Sequence, residues 1–151
     1  DEEGTPSVVE YNVRFGDPET QVTNPLIDSD LGLILLAAAE GRISGIEPVF
    51  SKRSAVTVVL ASEGYPGPSK TGRRISGEET RIEEGEITAF IHQAGTVRDE
   101  DGILLSNGGR VLSATAIANN LPSAVGAAYA VIDEIQLDGS HYRRDIAYRA
   151  L

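Results

Sequence analysis

Ser7-Val8-Val9-Glu10-Tyr11-Asn12-Val13-Arg14-Phe15 alternates with period two, and Gly16-Asp17-Pro18 stops it. Val9, Tyr11, Val13 and Phe15 fall on one side, with Val8, Glu10, Asn12 and Arg14 on the other. That is the pattern of a strand with one apolar face and one face carrying polar chemistry. Glu10 and Asn12, two residues apart, emerge on the same face. A carboxylate beside an amide oxygen is a hard, oxygen-only pair suited to Mg²⁺, an ion that takes one or two protein ligands and completes its shell with water and nucleotide phosphates. Arg14 continues the face, where a guanidinium can stabilise charge on a transferring phosphoryl group or an acyl phosphate. The same residues also suit a solvated polar face, and spacing alone does not separate the two readings.

Moving outward, residues 29–43 have a helical pattern, with Ser29 or Asp30 as N-cap and Gly41 near the end. Leu31 and Leu33 through Ala39 make this helix apolar almost all round, which predicts burial. Gly45 and Pro48 interrupt the pattern and set the expected domain boundary, 1–47 against 48–151. Beyond it, residues 55–61, 87–94, 103–106 and 110–117 read as strands. Asp101-Gly102 and Asn107-Gly108 are tight-turn signals between strand candidates. Residues 122–137 predict a helix with Val125, Ala128, Tyr129, Ile132 and Ile135 on one face and Asn120 or Ser123 as cap. The expected fold class is α+β, the second part being a mainly antiparallel β-domain with one packed helix.

Composition narrows the function classes. The formal net charge of −10 over 151 residues argues against a nucleic-acid partner, since phosphate neutralisation needs clustered Lys and Arg. No cysteine is present, so disulfides, thiolate metal sites and thiol catalysis are excluded. The longest apolar run, Leu33 to Ala39, is too short to span a bilayer, and the acidic start lacks the basic flank of a secretory signal. A cytoplasmic location and no membrane partner are the expectation. A strand-like run inside the first ten residues, with no Met at position 1, points to a piece of a longer chain.

The run from Val9 to Gln21 closely resembles the end of the ATP-grasp domain in phosphoribosylamine–glycine ligases. The likeness continues through Ser29-Asp30-Leu31, Gly64-Tyr65-Pro66-Gly67, His92-Gln93-Ala94-Gly95-Thr96, Asn107-Gly108-Gly109-Arg110-Val111-Leu112 and Arg144 to Ala150. What the resemblance implies is the tail of an ATP-grasp domain followed by the family's β-rich C-terminal domain. Enzymes of this family join glycine to 5-phosphoribosylamine with ATP, through glycyl phosphate, and make glycinamide ribonucleotide for purine synthesis. By the family's motif Glu10 and Asn12 hold Mg²⁺ or Mn²⁺ at the ATP phosphates, and Arg14 stabilises the acyl phosphate. Asp17 and Glu19 are implied to shape the glycine or amine end of the site. The partners implied are the N-terminal and ATP-binding portions of the same enzyme, which supply the nucleotide pocket; without them the chain is expected to be inactive. The rival from another class is a non-catalytic β-rich binding or assembly domain, with an exposed patch that favours self-association.

Other motifs carry less. Gly64 to Thr71 misses the P-loop pattern, because Ser69 stands at the second Gly and two prolines remove N–H donors. A turn is the expected structure there, with Lys70 or Arg73 as candidates for an anionic substrate. Asp99, Asp101 and Gly102 lack the later bidentate Glu of a calcium loop. His92 falls in a strand, where core or interface packing is the expectation. Gly108-Gly109-Arg110 reads as a tight turn, with Arg110 a candidate substrate contact. Tyr142 to Asp145 reads as local surface ion pairs.

Overall fold

The computed structural model describes residues 4–151. In chain order its elements are α1 (Thr20–Thr23), a 3₁₀ turn (Asn24–Leu26), α2 (Leu31–Ala39), β1 (Ser54–Ala61), β2 (Ile82–Glu84), β3 (Ile87–Gln93), β4 (Thr96–Arg98), β5 (Leu104–Ser106), β6 (Arg110–Ala118) and α3 (Leu121–Asp133). Four strands form one antiparallel sheet in the order β1-β6-β3-β2, and β4 pairs with β5 in a separate hairpin. The architecture is α+β, as the pattern of the sequence predicts.

β6 is central because its residues can be buried on both faces. Ala114, Ala116 and Ala118 point to one side, and all are 1% exposed or less. Their small side chains let α3 settle on the sheet, where Ala124, Ala128, Val131 and Ile132 join Val56, Val58, Leu60 and Leu112 in one core cluster. Asn120 caps α3, its Oδ1 accepting from Ser123 N at 2.9 Å. The alternate residues of the sheet make a different surface. Thr57 lies opposite Thr115 and Val59 opposite Ser113, while across the next ladder Phe90 meets Thr115 and His92 meets Ser113. The face away from α3 is therefore partly polar, and α1 with the 3₁₀ turn packs against its β1 edge.

Several expectations are corrected. Residues 7–15 form no strand; they run as irregular, exposed chain with a bend at Arg14, without a ladder partner to satisfy their N–H and C=O groups. The helix expected over 29–43 is shorter, Leu31–Ala39, with Asp30 as its cap. It is not buried either: only Ala37 is enclosed, and Leu33 and Leu36 are 63% and 52% exposed. The reason is its mounting. An Ile27–Phe50 bridge and the bonds Asp28 N to Val49 O and Ser51 N to Leu26 O close residues 27–50 into an excursion held only at its base.

In the β-domain, α3 stops at Asp133 rather than near 137, and Ile135 and Leu137 reach the core from the chain beyond it. Its buried stripe is turned slightly, taking in Ala124, Ala127 and Val131 while Val125 and Tyr129 sit half-buried. Asp101-Gly102 does close a hairpin, β4 to β5, with Gly102 at φ +79°. Asn107-Gly108 does not: it carries the chain from the small hairpin into β6 of the main sheet. β2 and β4 lay outside the expected strands because three residues are too few to display a period.

Candidate functional site

The metal-ligand candidates stay together even without a strand. Asn12 Nδ2 donates to Glu10 Oε1 at 3.1 Å, which places the carboxylate and the amide side by side in solvent. A carboxylate and an amide can each offer an oxygen, donor chemistry that fits a hard divalent cation. Two donors are an incomplete set, and no group of three or more His, Cys, Asp or Glu among the described residues could hold a metal. Among the described residues Arg14 bonds only the neighbouring Phe15 carbonyl, at 3.3 Å.

Downstream of this arm the chain turns at Gly16 and crosses to the β-domain. Glu19 folds back over Gly16, where a Cβ would collide with its carboxylate. Thr20 Oγ1 donates to the Gly16 carbonyl and closes the turn. Asp17 is gripped from two directions. Arg110, at the start of β6, donates to its Oδ2 at 3.2 Å and to its backbone carbonyl at 3.1 Å, and Gln21 donates to its Oδ1 at 3.0 Å. Thus Asp17 and Arg110, 93 positions apart, meet in one ion pair. Arg110 reaches that position from a crowded corner. A Cβ on Gly109 would lie 2.6 Å from the Tyr65 ring and 3.1 Å from Ser69 Oγ, so glycine permits the 64–69 turn to seat against the strand start.

Lys70 sits elsewhere. Its ammonium pairs with Glu63 at 2.5 Å, and Arg73 binds the other carboxylate oxygen at 2.6 Å. Those two hydrogen bonds hold the Glu63 carboxyl below the ordinary carboxylate range. Arg73 also donates to the Asp138 carbonyl at 2.5 Å. Asp17 and Arg110 come together, therefore, whereas Lys70 belongs to a separate charge cluster. The C-terminal run behaves as expected: Arg143 pairs with Asp145 at 2.7 Å on the surface.

A cleft of about 370 Å³ opens beside Asp17, lined by Gly16, Thr20, Gln21, Asn24 and Pro25 on one side and by His92 and Gln93 on the other. His92 was expected only to pack. Its Nδ1 lies 3.1 Å from Thr115 Oγ1, which lies 2.9 Å from Thr57 Oγ1. Burial lowers its pKa below the ordinary 6.5, favouring the neutral imidazole. The only hint in the sequence was that Thr57, His92, Ser113 and Thr115 lie at alternating positions of three strands, which requires the register to be known.

Comparison with known proteins gives the family. The family model described as "Phosphoribosylglycinamide synthetase, C domain" matches residues 55–149. The chain belongs to that family. Similar proteins include the phosphoribosylamine–glycine ligase of Caulobacter vibrioides, 46% identical over 97% of the chain and 34% of that protein. Another, from Leifsonia xyli, is 49% identical over 95% of the chain and 34% of the relative. The chloroplastic ligase of Arabidopsis thaliana is 43% identical over 98% of the chain and 28% of its own length. Among solved structures, the ligase of Thermotoga maritima matches with a TM-score of 0.73 at 37% identity, covering 95% of this chain and 34% of that one. The chain thus corresponds to a C-terminal part of these enzymes and spans about a third of the length of these relatives. Among the described residues no helix is long and apolar enough to cross a membrane.

Proposed function

We propose that this chain supplies one edge of the active site of a ligase that joins glycine to 5-phosphoribosylamine with ATP, giving glycinamide ribonucleotide through glycyl phosphate. The observation that carries the reading is the similarity of 95% or more of the chain to enzymes named phosphoribosylamine–glycine ligase. Glu10 and Asn12 side by side, with Arg14 engaged by no carboxylate among the described residues, fit the role. In this reading Glu10 and Asn12 hold Mg²⁺ or Mn²⁺ at the nucleotide phosphates. A divalent cation held by Glu10 and Asn12 would supply neutralisation of oxygen charge during phosphoryl transfer. Arg14 donates to the acyl phosphate, and the Asp17–Arg110 pair, with Glu19 folded over Gly16, shapes the glycine or amine end beside the cleft. Lys70 is the candidate for an anionic group of the substrate, reached by exchanging Glu63. The partner is the remainder of the same enzyme, which brings the ATP pocket. The setting is the cytoplasm, or an organelle where, as in Arabidopsis, the relative is chloroplastic.

The test is coupled ADP release by the full-length enzyme that contains this chain, with glycine and 5-phosphoribosylamine both required. Arg14→Ala should lower kcat about 10²–10³-fold, the loss typical of removing one donor to a developing negative charge. Glu10→Gln should shift the metal dependence to higher concentration. Turnover independent of glycine would sink the assignment, and unchanged metal dependence would sink the role of Glu10.

A further inference from the structure

His92 lies outside the Glu10–Asn12–Arg14 run, yet it forms one wall of the cleft beside Asp17. Its orientation is held on two sides. Thr115, wholly buried, fixes Nδ1, and Thr57 in turn engages Thr115. The Phe90 ring meets the imidazole edge-on, with centroids 4.9 Å apart and planes at 62°. With Nδ1 committed, Nε2 is the ring nitrogen left for a ligand. When Nδ1 carries the proton and donates to Thr115, which donates to Thr57, Nε2 is an acceptor.

Directly across the ladder from His92 stands Ser113, 2% exposed, whose Oγ has no hydrogen-bond partner among the described residues. Buried hydroxyls are normally satisfied, so Ser113 leaves one unmet polar group beside His92, although it does not itself line the cleft. The rest of the wall is Asp17 with Gly16, Thr20, Gln21, Asn24, Pro25 and Gln93; no Lys or Arg lines the cleft, and Arg110 reaches Asp17 from outside it. Each Asp17 oxygen already accepts one bond and keeps capacity for another. Gln93 Oε1 already accepts from Thr96, and amides donate as readily as they accept, so the acceptors left for a ligand are His92 Nε2 and the remaining lone pairs of Asp17, which suit a ligand that donates hydrogen bonds.

We propose that this cleft receives the amine end of a substrate, with His92 Nε2 accepting one N–H and Asp17 another, and with the Thr115–Thr57 hydroxyls holding the imidazole in that tautomer. The inference rests on the ligase reading, in which two molecules bring an amine, glycine and 5-phosphoribosylamine. The chemistry is the same for both, so the test keeps them apart.

The experiment measures kcat and KM for glycine, 5-phosphoribosylamine and ATP separately, in the full-length enzyme, for His92→Gln, His92→Asn and Thr115→Val. A Gln amide reaches the place of Nε2, whereas an Asn amide reaches only that of Nδ1. With His92→Asn, KM for one amine substrate should rise about tenfold, the upper range for a lost neutral hydrogen bond, while KM for ATP stays put. His92→Gln should bring that KM back to within about threefold of wild type, and Thr115→Val should fall between. The substrate whose KM moves is the occupant. The proposal is overturned if neither amine KM changes in His92→Asn. It is equally overturned if Asn restores function where Gln does not, with losses tracking thermal stability, because His92 then only braces the sheet. Wild-type turnover reads the ligase assignment itself, and its failure overturns both.

Discussion

Helices α2 and α3 have similar raw material and opposite fates. Residues 31–39 read LGLILLAAA, more apolar than the LPSAVGAAYAVID of residues 121–133, yet α3 is the one with a buried stripe. α3 follows β6 after a short capped turn and folds straight back onto the sheet that β6 centres. α2 hangs on an excursion tied at Ile27 and Phe50, and the described residues offer nothing to cover Leu33, Leu35 and Leu36. The arm of residues 7–15 behaves likewise, leaving Val9 95% and Val13 93% exposed. An apolar pattern states that a surface is to be buried; it does not state by what. For α3 the cover lies within the chain, and for α2 and the arm the covering surface is proposed to belong to the rest of the enzyme.

The sharpest way to break this contrast is a pair of truncations. Ile132→Ala should cost about 2–5 kcal/mol in chemical denaturation of the chain, the usual range for emptying a packed core position. Leu36→Ala should stay within about 0.5 kcal/mol, as for an ordinary surface site. Comparable losses would mean that α2 is packed after all.

The caps sharpen the comparison further. Asn120→Ala should lower global stability by about 1 kcal/mol, because α3 unfolds with the core. Asp30→Ala should reduce helical circular dichroism without moving the main transition, since α2 can fray alone. A shift of the main transition by Asp30→Ala would join the two regions into one cooperative unit.

A third probe is pH. The folded chain holds the His92 pKa below 6.5, so between the two values the unfolded chain binds more protons. Stability must then rise with pH across that window, be fully present above about 6.5, and be lost as pH falls toward the folded value. His92→Gln should flatten this part of the profile, and a variant with an unchanged slope would assign the proton uptake elsewhere. The smallest effect concerns assembly. The chain by itself should self-associate weakly through the arm and α2, and Leu33→Glu should remove the association. Sedimentation as a monomer at all concentrations would show that these apolar faces do not attract one another.

Much of the β-domain was legible because its long strands are rich in Val, Ile, Leu and Ala and are bounded by turn residues. Ile87 to Gln93 and Arg110 to Ala118 were found within a residue or two. The end of α3 was misplaced because Ile135 and Leu137 keep contact with the core after the helix stops. The arm was misread as a strand because alternation reports two distinct faces and says nothing of a partner strand. The pairing of Glu10 with Asn12 needed only their spacing. The Asp17–Arg110 pair and the Thr57–Thr115–His92 row needed the fold, since they join residues tens of positions apart across elements whose register no local pattern specifies.

By itself, then, the sequence determined the α+β class and the main strands, narrowed each helix cap to two residues and set Glu10 close to Asn12, all consequences of side chains a few positions apart. Tertiary structure alone decided which apolar surfaces are covered, where Lys70 and Arg110 spend their charge, and that His92 faces a cleft. Those outcomes depend on the order β1-β6-β3-β2 and on where the 16–26 segment crosses the sheet. They arise from long-range packing, whose energy is shared among many residues and written in none of them alone.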